Sequence, residues 1–195
     1  MKKIIVILTL IFTGLMFLAP LCPSEKNVEV PIVDSEGLPI QVDEQGTSYD
    51  EIHAYVPTDG VSQIQTDNDF IKLLDIRLQA VSYIITDDES PANTKIQDFV
   101  VEVSSTSETG PYQTLMEIPE VILDDVEGME QKPELDAVGV HVINEALDVY
   151  VPEYDGTHGA NYWFRVGGTA TQSPIKFKIT IKIYLTVLGL VKVSI

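Results

Sequence analysis

Carboxylate side chains are the most abundant chemically active groups in this chain, and several cluster in short segments with turn composition. Asp67 and Asp69 flank one asparagine, and Asp87 and Asp88 are adjacent. Carboxylate and backbone carbonyl oxygens are the ligands that Ca²⁺ prefers. None of these segments has the spacing of an EF-hand or of a glycine-rich calcium repeat. Asp67, Asp69, Asp87 and Asp88 are therefore candidate calcium ligands, and solubility is the competing explanation of the same acidity.

A second candidate site is aromatic. Tyr154, Tyr162 and Trp163 flank a loop that contains two glycines. Exposed aromatic side chains beside a flexible loop predict a contact surface for a carbohydrate or a peptide. The alternative follows from the alternation of side chains along a strand: of the neighbours Trp163 and Phe164, one lies in the core and the other is partly exposed.

Motifs of the common hydrolases are absent from the sequence. There is no Gly-x-Ser-x-Gly segment and no glycine-rich phosphate loop. The three histidines, His53, His141 and His158, are far apart, although His53 has Glu51 as a near neighbour. A glycosidase needs only two carboxylates at a set separation, so a secreted carbohydrate-active hydrolase stays open as an alternative.

The amino terminus has the layout of a bacterial-type export signal. Lysines precede an apolar run over residues 4–19, and a processing region follows around Cys22. Three fates stay open: lipidation of Cys22, cleavage after Ser24, or an uncleaved anchor. Leu21 departs from the small residue that usually precedes a lipidated cysteine. All three fates predict an exported protein in the periplasm, the outer envelope or the extracellular space.

Cysteine usage and charge exclude several chemistries. Because Cys22 is the only cysteine, the chain forms no internal disulfide and no cysteine-ligated zinc site. The net charge is −18, and residues 25–172 hold all 30 acidic residues with only six of the 12 cations. Residues 173–195 hold four lysines and no acid. Such an anionic body repels phosphate backbones, so we expect no nucleic-acid partner.

Alternating apolar residues predict strands through the middle of the chain. Residues 52–56 form a short strand that stops at Pro57, and residues 96–104 and 112–118 form a hairpin. Residues 70–86 predict a longer strand. One face of this strand carries Ile76, Leu78, Ala80, Ser82 and Ile84, and the opposite face carries Arg77, Gln79, Val81, Tyr83 and Ile85.

Residues 134–149 do not show this alternation and instead predict one amphipathic helix. Pro133 precedes the first turn, and acidic residues lie within it. The apolar stripe at helical spacing comprises Leu135, Val138, Val142, Ala146 and Val149.

The carboxyl-terminal segment gives the clearest strand signal. Apolar residues alternate without a break from Ile175 to Val187, and lysines and threonines occupy many of the intervening positions. Outward lysines would also keep an exposed strand from pairing with another molecule. The elements sum to about eight strands and one helix, most simply a mainly β fold with a single antiparallel β-sandwich.

Two short segments resemble fibronectin type III modules. Residues 101–112 are similar to the central hairpin of these modules, and residues 162–166 are similar to their later aromatic strand. The resemblance covers about 17 residues and implies a sandwich that acts in binding or spacing rather than in catalysis.

The resulting expectation is an exported, non-enzymatic cell-envelope or surface protein with a binding or structural role. We expect an export signal over residues 1–24, a tether and first edge strand over 25–50, and a sandwich over 51–195. The expected partner is an envelope or surface protein or a glycan, and the expected membrane contact is a lipid at Cys22. A calcium-stabilised adhesion module is a further alternative.

Overall fold

A computed structural model of the chain describes residues 24–33, 37–55, 70–148 and 162–193. The described residues form eight strands and two helices. The strands are β1 (Ser24–Val33), β2 (Leu38–Glu44), β3 (Ser48–Tyr55), β4 (Phe70–Thr86), β5 (Lys95–Ser104), β6 (Gln113–Ile122), β7 (Tyr162–Ala170) and β8 (Ile175–Val193). The helices are α1 (Leu123–Val126) and α2 (Ala137–Leu147).

The strands form two antiparallel sheets of four strands each. In sheet A, the long strand β8 pairs with β4 along one side and with β1 and β2, placed end to end, along the other. Sheet B has the order β3-β7-β5-β6, so β3 and β6 are its edge strands. The predicted β5–β6 hairpin and the predicted mainly β, antiparallel sandwich are both confirmed.

The core lies between the two sheets. The alternation predicted for β8 is confirmed, because its apolar positions from Ile175 to Val187 are buried and the intervening residues are half-buried. Tyr49 of β3 contacts Phe177 of β8 edge-on, with 5.7 Å between ring centroids. On the other side of the core, the rings of Tyr83 (β4) and Phe99 (β5) are 5.1 Å apart. Both aromatic pairs join sheet A to sheet B.

Strand β4 interrupts the alternation that the sequence shows. Ile76 and Leu78 are buried, and the strand then shifts register between Leu78 and Ala80. An extra residue in one strand moves every following side chain to the opposite face. After the shift the buried apolar residues are Val81, Tyr83 and Ile85, which uninterrupted alternation places on the face opposite Ile76 and Leu78.

The predicted helix is present, and the centre of its buried face lies one residue from the predicted stripe. Asp136 caps its amino terminus by accepting a hydrogen bond from the Val138 N–H at 2.8 Å. The buried residues are Gly139, Ile143 and Leu147, whereas Val138 is 53% exposed. Other members of the predicted stripe, Leu135, Val142 and Ala146, are half-buried and pack against the core beside this face. The cause of the one-residue offset is Gly139, because its missing side chain lets the helix lie directly on β6.

Residues 1–23 of the predicted export signal, including Cys22, lie outside the described residues, as do Asp67, Asp69 and Tyr154. Strand β1 begins at Ser24, and the rest of β1, strand β2 and the start of β3 lie within residues 25–50. Among the described helices, neither is long and apolar enough to cross a membrane.

Candidate functional site: a cleft beside strand β6

A cleft of about 540 Å³ opens along the edge strand β6 of sheet B. Its volume lies within the range of small-molecule and peptide sites, about 300–1,000 Å³. One wall is residues 117–122 of β6, and the opposite wall is residues 131–134. Tyr83 of β4 and two residues of helix α1, Asp125 and Val126, also line the cleft.

The wall opposite β6 belongs to a segment that is fastened along the edge of sheet A. Gln131 and Tyr83 exchange two backbone hydrogen bonds, of 2.9 and 3.0 Å, and the Gly128 N–H donates to the Ile85 carbonyl at 2.8 Å. Two isolated β-bridges, Tyr83 with Gln131 and Ile85 with Glu127, follow from these contacts. The segment covers the outer edge of β4 at these positions and holds one side of the cleft in place.

Glu130 provides a side-chain anchor for the same segment. One carboxylate oxygen accepts hydrogen bonds from the Ser82 hydroxyl, at 2.7 Å, and from the Tyr184 hydroxyl. These two hydrogen bonds lower the pKa of Glu130. The Lys132 ammonium lies 3.9 Å from Glu130 and 4.6 Å from the centre of the Tyr184 ring. Lys132 is thus already engaged on the outer face of sheet A.

The charges that line the cleft do not balance. Four carboxylates lie along it, against the single ammonium of Lys132. Glu120 pairs with Lys95 at 2.8 Å. Across the described part of the chain, the other three carboxylates make no ion pair with a cation; they belong to Glu117, Asp125 and Glu134. The cleft therefore has a negative potential that the cations of the described residues do not neutralise.

The apolar part of the cleft includes Ile118 and Val126, which are half-buried and pack against the core. Pro119 and Pro133 add apolar surface from the two walls. Tyr83 is only 3% exposed, and burial raises the pKa of its hydroxyl. Within the described ranges this hydroxyl has no hydrogen-bond partner. Apolar surface with a few convergent polar groups is the usual composition of a ligand site.

A contrasting charged cluster lies on the outer face of sheet B. The Arg165 guanidinium donates to both carboxylate oxygens of Asp50 at 2.7 Å and lies 3.4 Å from Glu102. The ring of Tyr112 is 5.8 Å from the same guanidinium. The hydrogen bonds from Arg165 lower the pKa of Asp50, and the bonds to Asp50 raise the pKa of Arg165. This cluster joins β3, β7 and β5 through contacts that are already complete.

The structure separates two of the predicted aromatic residues. Tyr162 is 2% exposed, and its hydroxyl donates a buried hydrogen bond of 3.0 Å to the Ile143 carbonyl of helix α2. Trp163 is half-buried and lies on the other face of β7, between Ala54 and Ser104 in the strand register. Of this pair, Trp163 alone is on the outer face of sheet B, where it lies near Ile52, which is 38% exposed.

The described pair of candidate calcium ligands lies after β4. Asp87 has a φ of 54°, and the Asp88 carboxylate accepts a hydrogen bond from the Ser90 N–H at 2.9 Å. The Asp88 N–H donates to the Glu127 carboxylate at 3.2 Å. Among the described residues, no three His, Cys, Asp or Glu side chains are grouped as metal ligands.

Two of the three histidines are described, and each is near one carboxylate. The His53 Nε2 atom is buried, has no hydrogen-bond partner among the residues that the structure describes, and lies 3.9 Å from Glu51. His141 lies 3.3 Å from Glu145 one turn along helix α2, and both side chains are largely exposed. The proximity of His53 and Glu51 that the sequence indicated is therefore present, without a third ligand beside it in the described residues.

Sequence reasoning did not identify the cleft residues. Its walls come from β6, α1 and residues 131–134, and none of these segments carries a catalytic or metal-binding motif. A weak signal was present in Pro119, which directly follows the predicted strand 112–118, because a proline within or next to a strand favours an edge position. The pairing of β5 with β6 skips Asp98 and Pro119, in keeping with the missing N–H.

Comparisons with known proteins add little to this description. No protein-family model matches the chain, and no curated protein matches it. A chain of the solved structure of turnip yellow mosaic virus aligns with 88% of this chain and 96% of its own length, at 14% identity and a TM-score of 0.34. A chain of Desmodium yellow mottle tymovirus aligns with 88% of this chain and 85% of its own, at 11% identity and the same TM-score of 0.34. Alignments at this level carry no conclusion about function.

Proposed function

We propose that this chain is an exported, non-enzymatic protein of the cell envelope or cell surface, and that it acts by binding a ligand in the cleft beside β6. The observation that carries the binding role is the cleft itself. Half-buried apolar residues line it together with carboxylates that have no cation partner among the described residues. A site of this kind gains free energy when a complementary partner covers the apolar surface and neutralises the charge.

The export part of the proposal is supported by the amino-terminal sequence. Lysines, an apolar run and a processing region occur there in the order of an export signal. A high negative charge also suits a protein that must stay soluble outside the cytoplasm.

Fractionation of a bacterial host that expresses the full chain tests the export part. We expect the protein in the membrane, periplasmic or medium fraction, with an intact mass that starts at Glu25 or at a lipidated Cys22, or with the leader retained in the membrane. The matched control lacks residues 1–24 and should remain in the cytoplasm. Recovery of the full-length chain with its leader in the cytoplasmic fraction would overturn the proposal.

A second candidate function, a carbohydrate-active hydrolase, is favoured by one observation. The cleft is lined by four carboxylates, and a glycosidase uses two such groups across its substrate. Incubation with peptidoglycan, chitin and β-glucan, followed by assay of new reducing ends, tests this candidate. A hydrolase predicts release by the wild type and loss of release in Glu117→Gln or Glu120→Gln. Binding without release on all three substrates would favour the non-enzymatic function.

A further inference from the structure

Along the cleft, the outer edge of β6 pairs with no other strand of the described fold. β6 is the last strand of sheet B, and its inner edge pairs with β5. At one end the Asp136 N–H donates to the Leu115 carbonyl at 2.8 Å, and helix α2 covers that end. From Glu117 to Ile122, the outer edge forms no backbone hydrogen bond with any residue that the structure describes. Within the described ranges, the strand therefore has peptide groups without a backbone partner where it borders the cleft.

An extended peptide is the ligand that such an edge recognises. Addition of a strand to an exposed sheet edge supplies main-chain hydrogen bonds, and pockets for alternate side chains supply specificity. Folded proteins usually cover or charge a free edge so that it does not pair unintentionally. The edge of β4 is covered in this way by residues 127–131, whereas the edge of β6 faces the cleft.

The charges of the cleft identify the chemistry of that peptide. Glu117, Asp125 and Glu134 lack a cation partner among the described residues, and the Lys132 ammonium is directed to Glu130 and the Tyr184 ring. A cationic side chain brought into the cleft would find carboxylates that no lysine or arginine of the described fold already neutralises. An acidic peptide would be repelled by the same groups.

The apolar surface of the cleft indicates which other side chains the peptide carries. Ile118 and Val126 are half-buried between the core and the cleft. In an extended peptide, successive side chains point to opposite sides. A segment that alternates lysine or arginine with small apolar residues can therefore direct its cations to the carboxylates and its apolar side chains to Ile118 and Val126.

From these observations we infer that the cleft binds an extended, cationic peptide segment as an added strand on the edge of β6. The segment alternates basic and apolar residues, and its source is another protein of the same compartment. This inference rests on the proposed binding function and names its ligand class.

Titration of the full chain with synthetic peptides tests the inference. The probe is an acetylated, amidated peptide that alternates lysine and valine, and the charge control replaces each lysine by glutamate. A third peptide carries N-methyl groups on alternate residues, which removes backbone donors and keeps the charge. We expect saturable binding of the lysine peptide, no binding of the glutamate peptide, and binding about tenfold weaker for the methylated one.

Variants of the protein locate the site. Glu117→Gln combined with Glu134→Gln should weaken binding of the lysine peptide about tenfold, since two ion pairs are lost. The matched control, Glu108→Gln with Glu145→Gln, changes the net charge equally but at exposed positions outside the cleft lining. Equal weakening by both pairs of substitutions would show attraction to net charge only and would overturn the inference.

The outcomes separate this inference from the proposed function. Equal affinity for the methylated and unmethylated lysine peptides would overturn strand addition. Absence of binding by every peptide, in a protein that fractionates with the envelope, would overturn the ligand class and leave export intact. Recovery in the cytoplasm together with tight, site-dependent peptide binding would overturn export and leave the cleft assignment intact.

Discussion

The outer face of sheet B and the cleft beside β6 differ in whether their charged side chains are paired within the described fold. On the outer face, Arg165 donates to both oxygens of Asp50 and also faces Glu102, so cation and carboxylates are paired within the fold. Along the cleft, Glu117 and Glu134 have no cation among the described residues within ion-pair distance. The first cluster can stabilise the fold. The carboxylates of the second gain a favourable ion pair only from a cation that is not among the described residues, which is the basis of the proposed binding role.

The two regions also differ in the backbone elements that hold their side chains in place. The paired cluster is carried by three neighbouring hydrogen-bonded strands, β3, β7 and β5, with Glu102 directly opposite Arg165 in the register. The cleft depends on a segment between the two helices, residues 127–136, and on the helix that follows it. The cleft should therefore respond to changes in helix packing that leave the paired cluster in place.

The largest loss of stability is expected for Gly139→Ala, which changes the contact between helix α2 and strand β6 at one end of the cleft. A Cβ atom here would lie 2.6 Å from the Leu115 Cα and would also overlap the Thr114 carbonyl, both in the backbone of β6. Alanine is favoured over glycine in a helix by about 1 kcal/mol, but overpacking against backbone costs more. We expect a net loss of about 2 kcal/mol in the free energy of unfolding, measured by urea denaturation.

Gly46→Ala is the matched control for this substitution. A Cβ atom at Gly46 would meet nothing closer than 4.0 Å, so unfolding should change by less than about 0.5 kcal/mol. If Gly139→Ala were as stable as the wild type, the close approach of α2 to β6 would be wrong.

The next effect on stability concerns Tyr162, whose side chain is buried and hydrogen-bonded to helix α2. Tyr162→Phe removes the buried hydrogen bond to the Ile143 carbonyl and keeps the ring. We expect a loss of about 1 kcal/mol in the free energy of unfolding. The lysine peptide should bind the folded variant with unchanged affinity. A change in affinity with unchanged stability would return Tyr162 to the binding residues.

The fold could be predicted from the sequence wherever a pattern is local. The alternation of β8 and the position of α2 depend on neighbours in the chain, and both were predicted correctly. The change of buried face along β4 could not be predicted, because the shift between Leu78 and Ala80 arises from pairing with β8, about 100 residues away. Alternation alone carries no information about where a partner strand inserts or omits a residue.

The fully buried face of α2 differs from the predicted stripe for a related reason. The spacing of Val138, Val142 and Ala146 is as helical as that of Gly139, Ile143 and Leu147. Hydrophobicity favours the first set, because glycine contributes nothing to an apolar stripe. Close packing on β6 favours the second, and that contact exists only in the folded protein.

The candidate site could not be predicted because its parts are remote in sequence and unremarkable in type. Glu117 and Glu134 are two of 30 acidic residues, and their placement on facing walls depends on how residues 123–136 cross between the sheets. The Arg165–Asp50 pair likewise joins residues 115 apart. Such pairings follow from tertiary register, which no local motif encodes.

A smaller effect is expected from Arg165→Met, which breaks the paired cluster. The Arg165 and Asp50 side chains are 40% and 51% exposed, so solvent screening limits their coupling to below about 1 kcal/mol. A double-mutant cycle with Asp50→Asn measures that coupling by urea denaturation. The Lys95–Glu120 pair at the cleft, measured in the same way, should couple less because it has one contact instead of a fork.

The stability difference between the wild type and Arg165→Met depends on pH because the pKa of Asp50 is lowered in the folded protein. A carboxyl whose pKa is lower in the folded state adds stability that is fully present above its unfolded value of about 3.9. That stability disappears as pH falls through the lower, folded pKa. The wild type and Arg165→Met should therefore differ most near neutral pH and converge in acid. A difference that grew in acid would contradict the pairing.

The smallest effect on stability is expected where the effect on binding is largest. Glu117→Gln with Glu134→Gln removes two carboxylates that have no cation partner among the described residues. The free energy of unfolding should stay within about 0.5 kcal/mol of the wild type. Because the substitutions only relieve repulsion between like charges, any small gain in the free energy of unfolding should shrink at high salt. Urea denaturation at low and high salt measures both. A clear loss of stability at low salt would mean that these carboxylates have partners within the fold, and the contrast with Arg165 and Asp50 would then be lost.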